Sequence, residues 1–506
     1  MAIIESLTTA TWPPKDTASI VLYFAALSIV YLVGSSIYDV YFGPLSKFPG
    51  PKLNALSVLP SLRTLWTGDE AQDLPALHAK YGPIVRTSPN HLSFANGATG
   101  FKEIYGFAKK GLTKDPQFYG RPLNKVHGII TADDAGHSRQ RKILSHAFSD
   151  RALKEQEPLL KRWAQLMKDK MMEAAEAGQK ADMLKFYNCT TFDIMGDLTF
   201  AESLYMLEGS DYSPWVKTIF AGIKKGTQIR GVKLYSRLTN YFVEEWLFNS
   251  PVVRAKQLEH WNYSKERVDR RLARTPDRPD LWTKILEKGS GPDGLSLGEH
   301  HSIASLFMVA GTETTATALS GTTYHLLTNP DMLALLQTEI RSAFSSLDDM
   351  GLETLAKQKY LMAVLQEGLR MYPPVPSELP RVVPASGAVV CGEWIPGGTK
   401  IGVHHLSTYR SEEYFRKPYE FHPERWLGDP EFKDDKLDAM EPFSVGPRNC
   451  LGKVCCFFMA PFKWTTTTNA LSQASFNLLT LNSFSSRTSP GTKCASCWPP
   501  SSCTST

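Results

Sequence analysis

Uncharged residues run unbroken from Thr17 to Tyr38, 22 positions rich in Ile, Val, Leu, Tyr and Phe that lie between Asp16 and Asp39. At ~1.5 Å of rise per residue such a helix is about 33 Å long, enough to cross the hydrocarbon core of a bilayer. Met1–Thr11 carries no Lys or Arg and no small-residue cleavage site ends the run, so the pattern predicts an uncleaved anchor over 17–38 behind a short segment 1–16. Lys15 precedes the span whereas Lys47, Lys52 and Arg63 follow it, which puts the C-terminal side in the cytosol. Residues 39–51 then form a stiff Pro/Gly hinge, because Phe48-Pro49-Gly50-Pro51 stops both helix and strand.

Beyond the hinge the apolar residues recur mostly at helical spacing. Leu153, Leu159, Trp163, Leu166 and Met167 stand among charges within Ala152–Gly178, and Met332–Phe344 and Leu355–Tyr372 behave alike. The longest helix is predicted from about Ser302 to Thr328, stopped by Asn329-Pro330. Strand-like runs are short: Ile84-Val85-Arg86 and Leu92-Ser93-Phe94 flank a Pro89-Asn90 turn, and Ala388–Val403 holds two apolar runs around Pro396-Gly397-Gly398. The expected fold class is mostly α with small β-sheets. No repeat or low-complexity linker divides the chain, so residues 52–453 read as one catalytic-sized domain.

Composition changes this picture little. Hydrophobic residues at 42% and charged residues at 21% exclude a disordered or collagen-like chain. Basic and acidic residues number 56 and 51, too even a balance for a nucleic-acid binder. Only Cys189 and Cys391 precede Cys450, which is no disulfide framework and suits a reducing compartment. No glycine-rich phosphate loop stands in a suitable context, so NADPH is not expected to bind this chain. The pairs His300-His301 and His404-His405 lack metal-site spacing and read as surface or structural residues.

The strongest chemical signal is Phe443-Ser444-Val445-Gly446-Pro447-Arg448-Asn449-Cys450-Leu451-Gly452. One cysteine sits in a Gly- and Pro-stiffened loop two residues after an arginine, a setting expected to favour thiolate over thiol. Elsewhere, Glu367-Gly368-Leu369-Arg370 sets a carboxylate and a guanidinium on one helix face, and Pro423-Glu424-Arg425-Trp426 supplies a second arginine. Ala310-Gly311-Thr312-Glu313-Thr314-Thr315 fills the middle of the long helix with glycine and β-branched residues. The glycine alone costs about 1 kcal/mol there, so either a packing contact or a functional need explains the run.

Together these motifs resemble the cytochrome P450 family, over about residue 45 to Lys453. The resemblance implies the family's fold, with haem b held by Cys450 as axial iron ligand and by the loop residues Phe443, Gly446, Arg448 and Gly452. It implies that His137 and Arg141, in His137-Ser138-Arg139-Gln140-Arg141, and Arg381 and Arg448 face the haem propionates. It makes Ala310 and Gly311 the oxygen groove, Glu313 and Thr314 the acid and alcohol that pass protons during oxygen activation, and Glu367, Arg370 and Arg425 a buried structural network. The chain would then be a monooxygenase of fungal microsomal type that inserts one atom of O2 into a small lipophilic substrate such as a secondary metabolite. Its electrons would come from NADPH through a separate reductase, with cytochrome b5 as a second donor and Arg139, Lys142, Arg448 and Lys453 as a basic docking face. The pocket would draw on the stretch after Phe107, on Leu204–Trp246, on Phe307–Thr314 and on Val375–Leu379. The location implied is the endoplasmic reticulum membrane, single-pass, with the catalytic domain in the cytosol.

The resemblance stops after Lys453. Residues 454–506 contain no Asp or Glu, three Lys or Arg and 19 Ser or Thr, where ordinary usage gives roughly 13 charges. This tail reads as a shifted frame or a retained intron, with a divergent tail as the other reading. It opens the alternative of an inactive membrane-bound haem protein or a misfolded product.

Overall fold

The computed structural model describes residues 17–107, 111–120, 122–235, 237–247, 249–289, 293–453 and 479–480. Helices dominate and three small sheets accompany them, which agrees with the fold class read from the pattern. The apolar run forms a helix over Thr17–Tyr41, three residues longer than the run itself. Among its described side chains the apolar ones are mostly exposed, Val40 near its end being buried, as expected of a helix long and apolar enough to cross a membrane.

The hinge is not free. Leu45 and Phe48 are buried in the core and Lys47 pairs with Glu393 at 2.5 Å. The Arg86 N–H donates to Pro49 O at 2.8 Å, while the Arg86 guanidinium donates to Asp39 O at 3.0 Å. Residues 42–51 are therefore stiff because they are docked on the sheet, not only because prolines restrict them.

The main sheet has five strands, in the spatial order Ile84–Ser88, His91–Phe94, Lys400–Val403, Arg381–Val382 and Thr113–Lys114. β1 (Ile84–Ser88) and β2 (His91–Phe94) form the expected antiparallel pair about Pro89-Asn90, and β2 lies parallel to β8 (Lys400–Val403). β5 (Arg381–Val382) runs antiparallel to β8 and to β3 (Thr113–Lys114), which sets Lys114 directly across from Arg381. Strand alternation gives the sheet an apolar and a polar face. Leu92, Phe94, Ile401 and Val403 join Phe101, Ile104 and Tyr105 in one core; His91, Ser93, Lys400 and Gly402 face the other way. The two runs of Ala388–Val403 do not pair across Pro396-Gly397-Gly398. Ala388–Val390 and Glu393–Ile395 make a hairpin, and the glycines lead into β8.

A larger core surrounds the long helix, which spans Leu297–Thr328 and is about 48 Å long at ~1.5 Å per residue. It starts five residues before the expected point because Ser296 and Glu299 form a capping box, a signal present in the sequence. The helix Met183–Phe200, buried throughout from Tyr187 onward, packs along it, with Trp163, Trp282 and Leu336 around the pair. The single helix expected over Ala152–Gly178 is two, Asp150–Lys154 and Glu157–Glu176, since Pro158 can start a helix but not continue one. Segment 1–16 and the tail expected to be aberrant lie outside the described residues, apart from Leu479–Thr480, which pair in parallel with Ala181–Asp182.

Candidate active site

The cysteine loop is closed on itself. The Cys450 N–H donates to Phe443 O at 2.8 Å, Asn449 N–H to Gly446 O at 3.2 Å and Ser444 N–H to Glu441 O at 3.0 Å. Gly446 has φ +76°, and a Cβ there would lie 2.1 Å from Tyr105 O, so no other residue fits without moving the loop. Among the described residues nothing lies within 4 Å of where a Gly452 Cβ would stand. Phe443 is half-buried, with Lys453 Nζ 6.0 Å from its ring centre.

Cys450 is a free thiol, open to solvent on one side and crowded by protein on the others. Burial within the loop pushes that thiol above its ordinary range, although the Gly452 N–H, Arg141 and Lys453 pull the other way. The expectation that the neighbouring arginine favours thiolate is thus corrected. Arg448 turns away, donating to Ala132 O and to Asp134 Oδ1, each at 2.8 Å. A bound metal, not the arginine, would have to displace the proton.

Around this loop the fold collects positive charge. His137 and Arg141 come from the helix Asp134–Leu144, Arg381 from β5, Arg448 from the loop and Lys114 from β3. Lys114 is the member that sequence reasoning missed; only the register of two-residue strands brings it opposite Arg381. Burial, then Arg448 and Arg381, lower Lys114 to about 7. Burial, then Arg448, Arg141 and Lys114, lower His137 to about 4, so it is neutral near pH 7. Arg381 donates to Tyr119 Oη at 3.3 Å, and Lys114 Nζ lies 4.3 Å from the Tyr119 ring centre. The acid that meets Arg448 is Asp134, whose side chain is 94% exposed and so screened by water. Arg448 Nη1 is buried with no hydrogen-bond acceptor. Clustered cations and an orphaned donor fit a buried dianion, which is what the two carboxylates of a haem would supply.

Arg141 is already committed. It donates to Asn449 O and Asn449 Oδ1, both at 2.5 Å, and so clamps the cysteine loop to its helix. Arg139 points the other way, pairing with Glu299 and donating to Gly294 O at 2.8 Å. With Arg448 turned inward too, two of the four residues expected on a basic docking face are not free surface charges. His300, His301, His404 and His405 are buried rather than on the surface, and His301 contacts Asp269 at 2.6 Å.

The long helix is enclosed by core except along one stripe. Ala310 is exposed there, and Glu313 and Thr314, one turn on, are half-buried. Thr314 Oγ1 donates to Ala310 O at 2.6 Å, and Thr312 and Thr315 bond back to Met308 O and Gly311 O. Such back-bonding satisfies hydroxyls in a helix interior and accounts for how this run of threonines is tolerated. Gly311 does not share the stripe. A Cβ there would come within 2.8 Å of the Met195 sulfur, so its glycine serves the contact with Met183–Phe200.

Elsewhere in the core, Glu367, Arg370 and Arg425 are buried together. Arg370 meets Glu367 at 2.7 and 2.9 Å, and Arg425 Nε meets Glu367 at 3.1 Å. The network is larger than the sequence suggested. Asp435 pairs with Arg425, Trp426 Nε1 donates to Glu367 at 2.9 Å, and Arg370 ties down the carbonyls of Tyr409, Pro418 and Glu420.

Residues 49–455 match the family model described as Cytochrome P450. The chain is 50% identical over 437 residues to "Cytochrome P450 monooxygenase efuB" of Hormonema carpetanum, covering 85% of this chain and 86% of that protein. It is 39% identical over 441 residues to "Cytochrome P450 monooxygenase astA" of Talaromyces wortmannii, covering 87% and 88%. It is 36% identical over 430 residues to "Averantin hydroxylase" of Dothistroma septosporum, covering 84% and 80%. With the cysteine loop, the cation cluster and the buried Glu-Arg-Arg network in one fold, and a match across most of its length, the chain belongs to the cytochrome P450 family.

Proposed function

We propose that this chain is a membrane-anchored haem-thiolate monooxygenase that transfers one oxygen atom of O2 to a small lipophilic secondary metabolite. The observation that carries this reading is the partly buried cluster of Lys114, Arg141, Arg381 and Arg448, with the neutral imidazole of His137 among them, beside the Cys450 loop. Haem, when bound, supplies the oxygen chemistry. The chain's part is to ligate through the Cys450 sulfur, to neutralise two carboxylates with forked and point cations, and to fix the loop through Arg141 and Asn449. Glu313 and Thr314 carry protons at Oε and Oγ1. For this the Thr314 hydroxyl must leave Ala310 O, a side-chain rotation within reach at room temperature.

Electrons come from NADPH through a separate reductase, with cytochrome b5 as an accessory donor. The enzyme sits in the endoplasmic reticulum membrane with residues 52–453 in the cytosol. Two features support that siting: the bare apolar helix Thr17–Tyr41, and the exposed side chains Leu53, Leu59 and Trp66, with Tyr241, Phe242 and Trp246 on the segment after the helix that Leu59–Thr67 packs against. The test is turnover under 18O2 with reductase and NADPH, screening lipophilic metabolites with averantin among the first. One labelled oxygen per product molecule supports the reading, and haem loading with no turnover of any compound favours the inactive product. Transcript sequence across Lys453 decides whether residues 454–506 are the natural tail.

A further inference from the structure

The helix Asp134–Leu144 carries His137 and Arg141, yet little apolar packing fixes it. Its buried apolar residues, Ile143 and Leu144, both stand in the last turn. The middle is held instead by side-chain hydrogen bonds to two other elements. On one side Arg141 clamps Asn449, the residue before Cys450, through two bonds of 2.5 Å. On the other, Arg139 pairs with Glu299, and Gln140 Nε2 donates to Glu299 Oε1 at 2.7 Å. Residues two apart on a helix point about 200° apart, so the two arginines pull in opposite directions.

Glu299 is itself anchored in the first turn of the long helix Leu297–Thr328. Its Oε2 accepts from the Ser296 N–H at 2.8 Å, which is all that a capping box asks of the carboxylate. The second oxygen, Oε1, is taken by Arg139 and Gln140 and has no part in the cap. Burial raises this carboxyl, but the Ser296 N–H, Arg139 and Gln140 outweigh burial and the net direction is down. The same stretch of the long helix grips the segment 124–127. Asn124 Nδ2 donates to Gly298 O and Ser302 Oγ to Val126 O, each at 2.9 Å, and Gln140 Nε2 also reaches His127 O at 2.9 Å. A Cβ on Gly298 would come within 2.8 Å of Val126 Cγ2, so the approach is close. The start of the long helix is thus a fixed point, and Glu299 is the charged group by which it holds Asp134–Leu144.

We propose that Glu299 is a positioning residue for the Cys450 loop: through Arg139 and Gln140 it keeps the helix Asp134–Leu144 in the register at which Arg141 reaches Asn449. The proposal rests on the haem-enzyme reading above. From Glu299 to Cys450 every step is a hydrogen bond or a stretch of covalent chain. Bonds between charged partners fix geometry more tightly than neutral ones. Without Glu299 only the last turn of Asp134–Leu144 stays packed, Arg141 shifts, and the loop loses the clamp beside its sulfur.

The test times the conversion of the thiolate-type carbon-monoxide band to the neutral-thiol band in dilute urea, using the reduced, haem-loaded full chain in detergent. E299A is expected to convert about tenfold faster than wild type, and E299Q, which keeps an acceptor for the Ser296 N–H but drops the charge, about threefold. N449A loses the bond to its side-chain oxygen and is expected to convert about tenfold faster. Because Glu299 acts through Arg141 and Asn449, E299A/N449A should stay within about threefold of N449A, whereas independent effects multiply to about a hundredfold. S296A removes the hydroxyl half of the capping box and leaves Arg139 on Glu299, so it should stay within about twofold of wild type. A double variant at the product of its singles, or E299A at the wild-type rate, would overturn the proposal. So would S296A as fast as E299A, since the effect would then belong to the helix cap. Where E299A loads no haem, E299Q/N449A decides: a rate near that of N449A supports the proposal and the product of the singles overturns it. A wild type without the thiolate-type band counts against the haem reading, whereas a normal band with E299A at the wild-type rate counts against the positioning role alone.

Discussion

Lys114 shows how one side chain changes the chemistry of the site. It joins four cationic or potentially cationic groups without a buried acid to answer them, and burial with Arg448 and Arg381 holds it at about 7. A bound dianion raises that value again, so haem binding takes up a proton wherever the pH lies between the free and bound values. Below pH 7 Lys114 is already charged and contributes no slope; above 7 its contribution falls as pH rises, by up to about tenfold in affinity per unit. Haem transfer to an apoglobin acceptor is therefore expected to speed up from pH 7 to 9 in wild type. K114M should lose haem faster at pH 7 and show a flatter profile, and equal profiles would remove Lys114 from the site. At the stripe on the long helix, T314A is expected to cut product formation by about 10²-fold while NADPH consumption continues. That split is measured by assaying both in parallel. His137, Arg141, Arg381 and Arg448 were legible in the sequence because each sits in a recognisable motif. Lys114 was not, since nothing local marks a two-residue strand whose register places it across from Arg381.

At the scale of elements, the helix Lys359–Met371 works as a brace. Glu367 accepts from Arg370, Arg425, Trp426 Nε1 and the His422 N–H, and Arg370 holds three carbonyls of the segment 409–420. Burial raises the Glu367 carboxyl, but Arg370 and Arg425 outweigh it, and the net direction is down. Removing one partner strands charge in a dry interior, at a cost of about 3–5 kcal/mol. R370M is expected to lower the denaturation midpoint sharply and to abolish haem retention, whereas K142A on the surface leaves both unchanged. A normal midpoint in R370M would make the network dispensable. The i, i+3 pair and the second arginine could be read from the chain; Asp435 could not, because no helical or strand spacing marks which acid in the turns ten residues after Arg425 folds back onto its guanidinium. The long helix was legible at its proline stop and misread at its start, where the Ser296–Glu299 box outranked the apolar periodicity.

The whole molecule joins an apolar helix long enough to cross a membrane to the rest of the fold through a docked segment rather than a loose tether. Gly50 carries this joint, for a Cβ there would lie 2.4 Å from Arg86 O. G50A is expected to loosen residues 42–51, seen as faster hydrogen exchange there with the anchor intact. Protein lacking residues 1–41 should become extractable by alkaline carbonate while full-length protein stays in the pellet; identical partitioning would assign the membrane attachment elsewhere. The apolar helix Thr17–Tyr41 and the antiparallel β1–β2 pair were legible because continuous apolarity and a Pro-Asn turn are local signals. The docking of 42–51 and the split of Ala388–Val403 between two sheets were not, since both depend on partners distant in sequence.

The central claim is that Cys450 ligates haem iron as a thiolate, in a loop that by itself favours the thiol. It is tested most directly by the carbon-monoxide difference spectrum of reduced membranes containing the full 506-residue chain, beside C450S and C391S. The account predicts a thiolate-type, red-shifted Soret band in wild type and C391S and its absence in C450S. The same band in C450S, or only a neutral-thiol band in wild type, would contradict it.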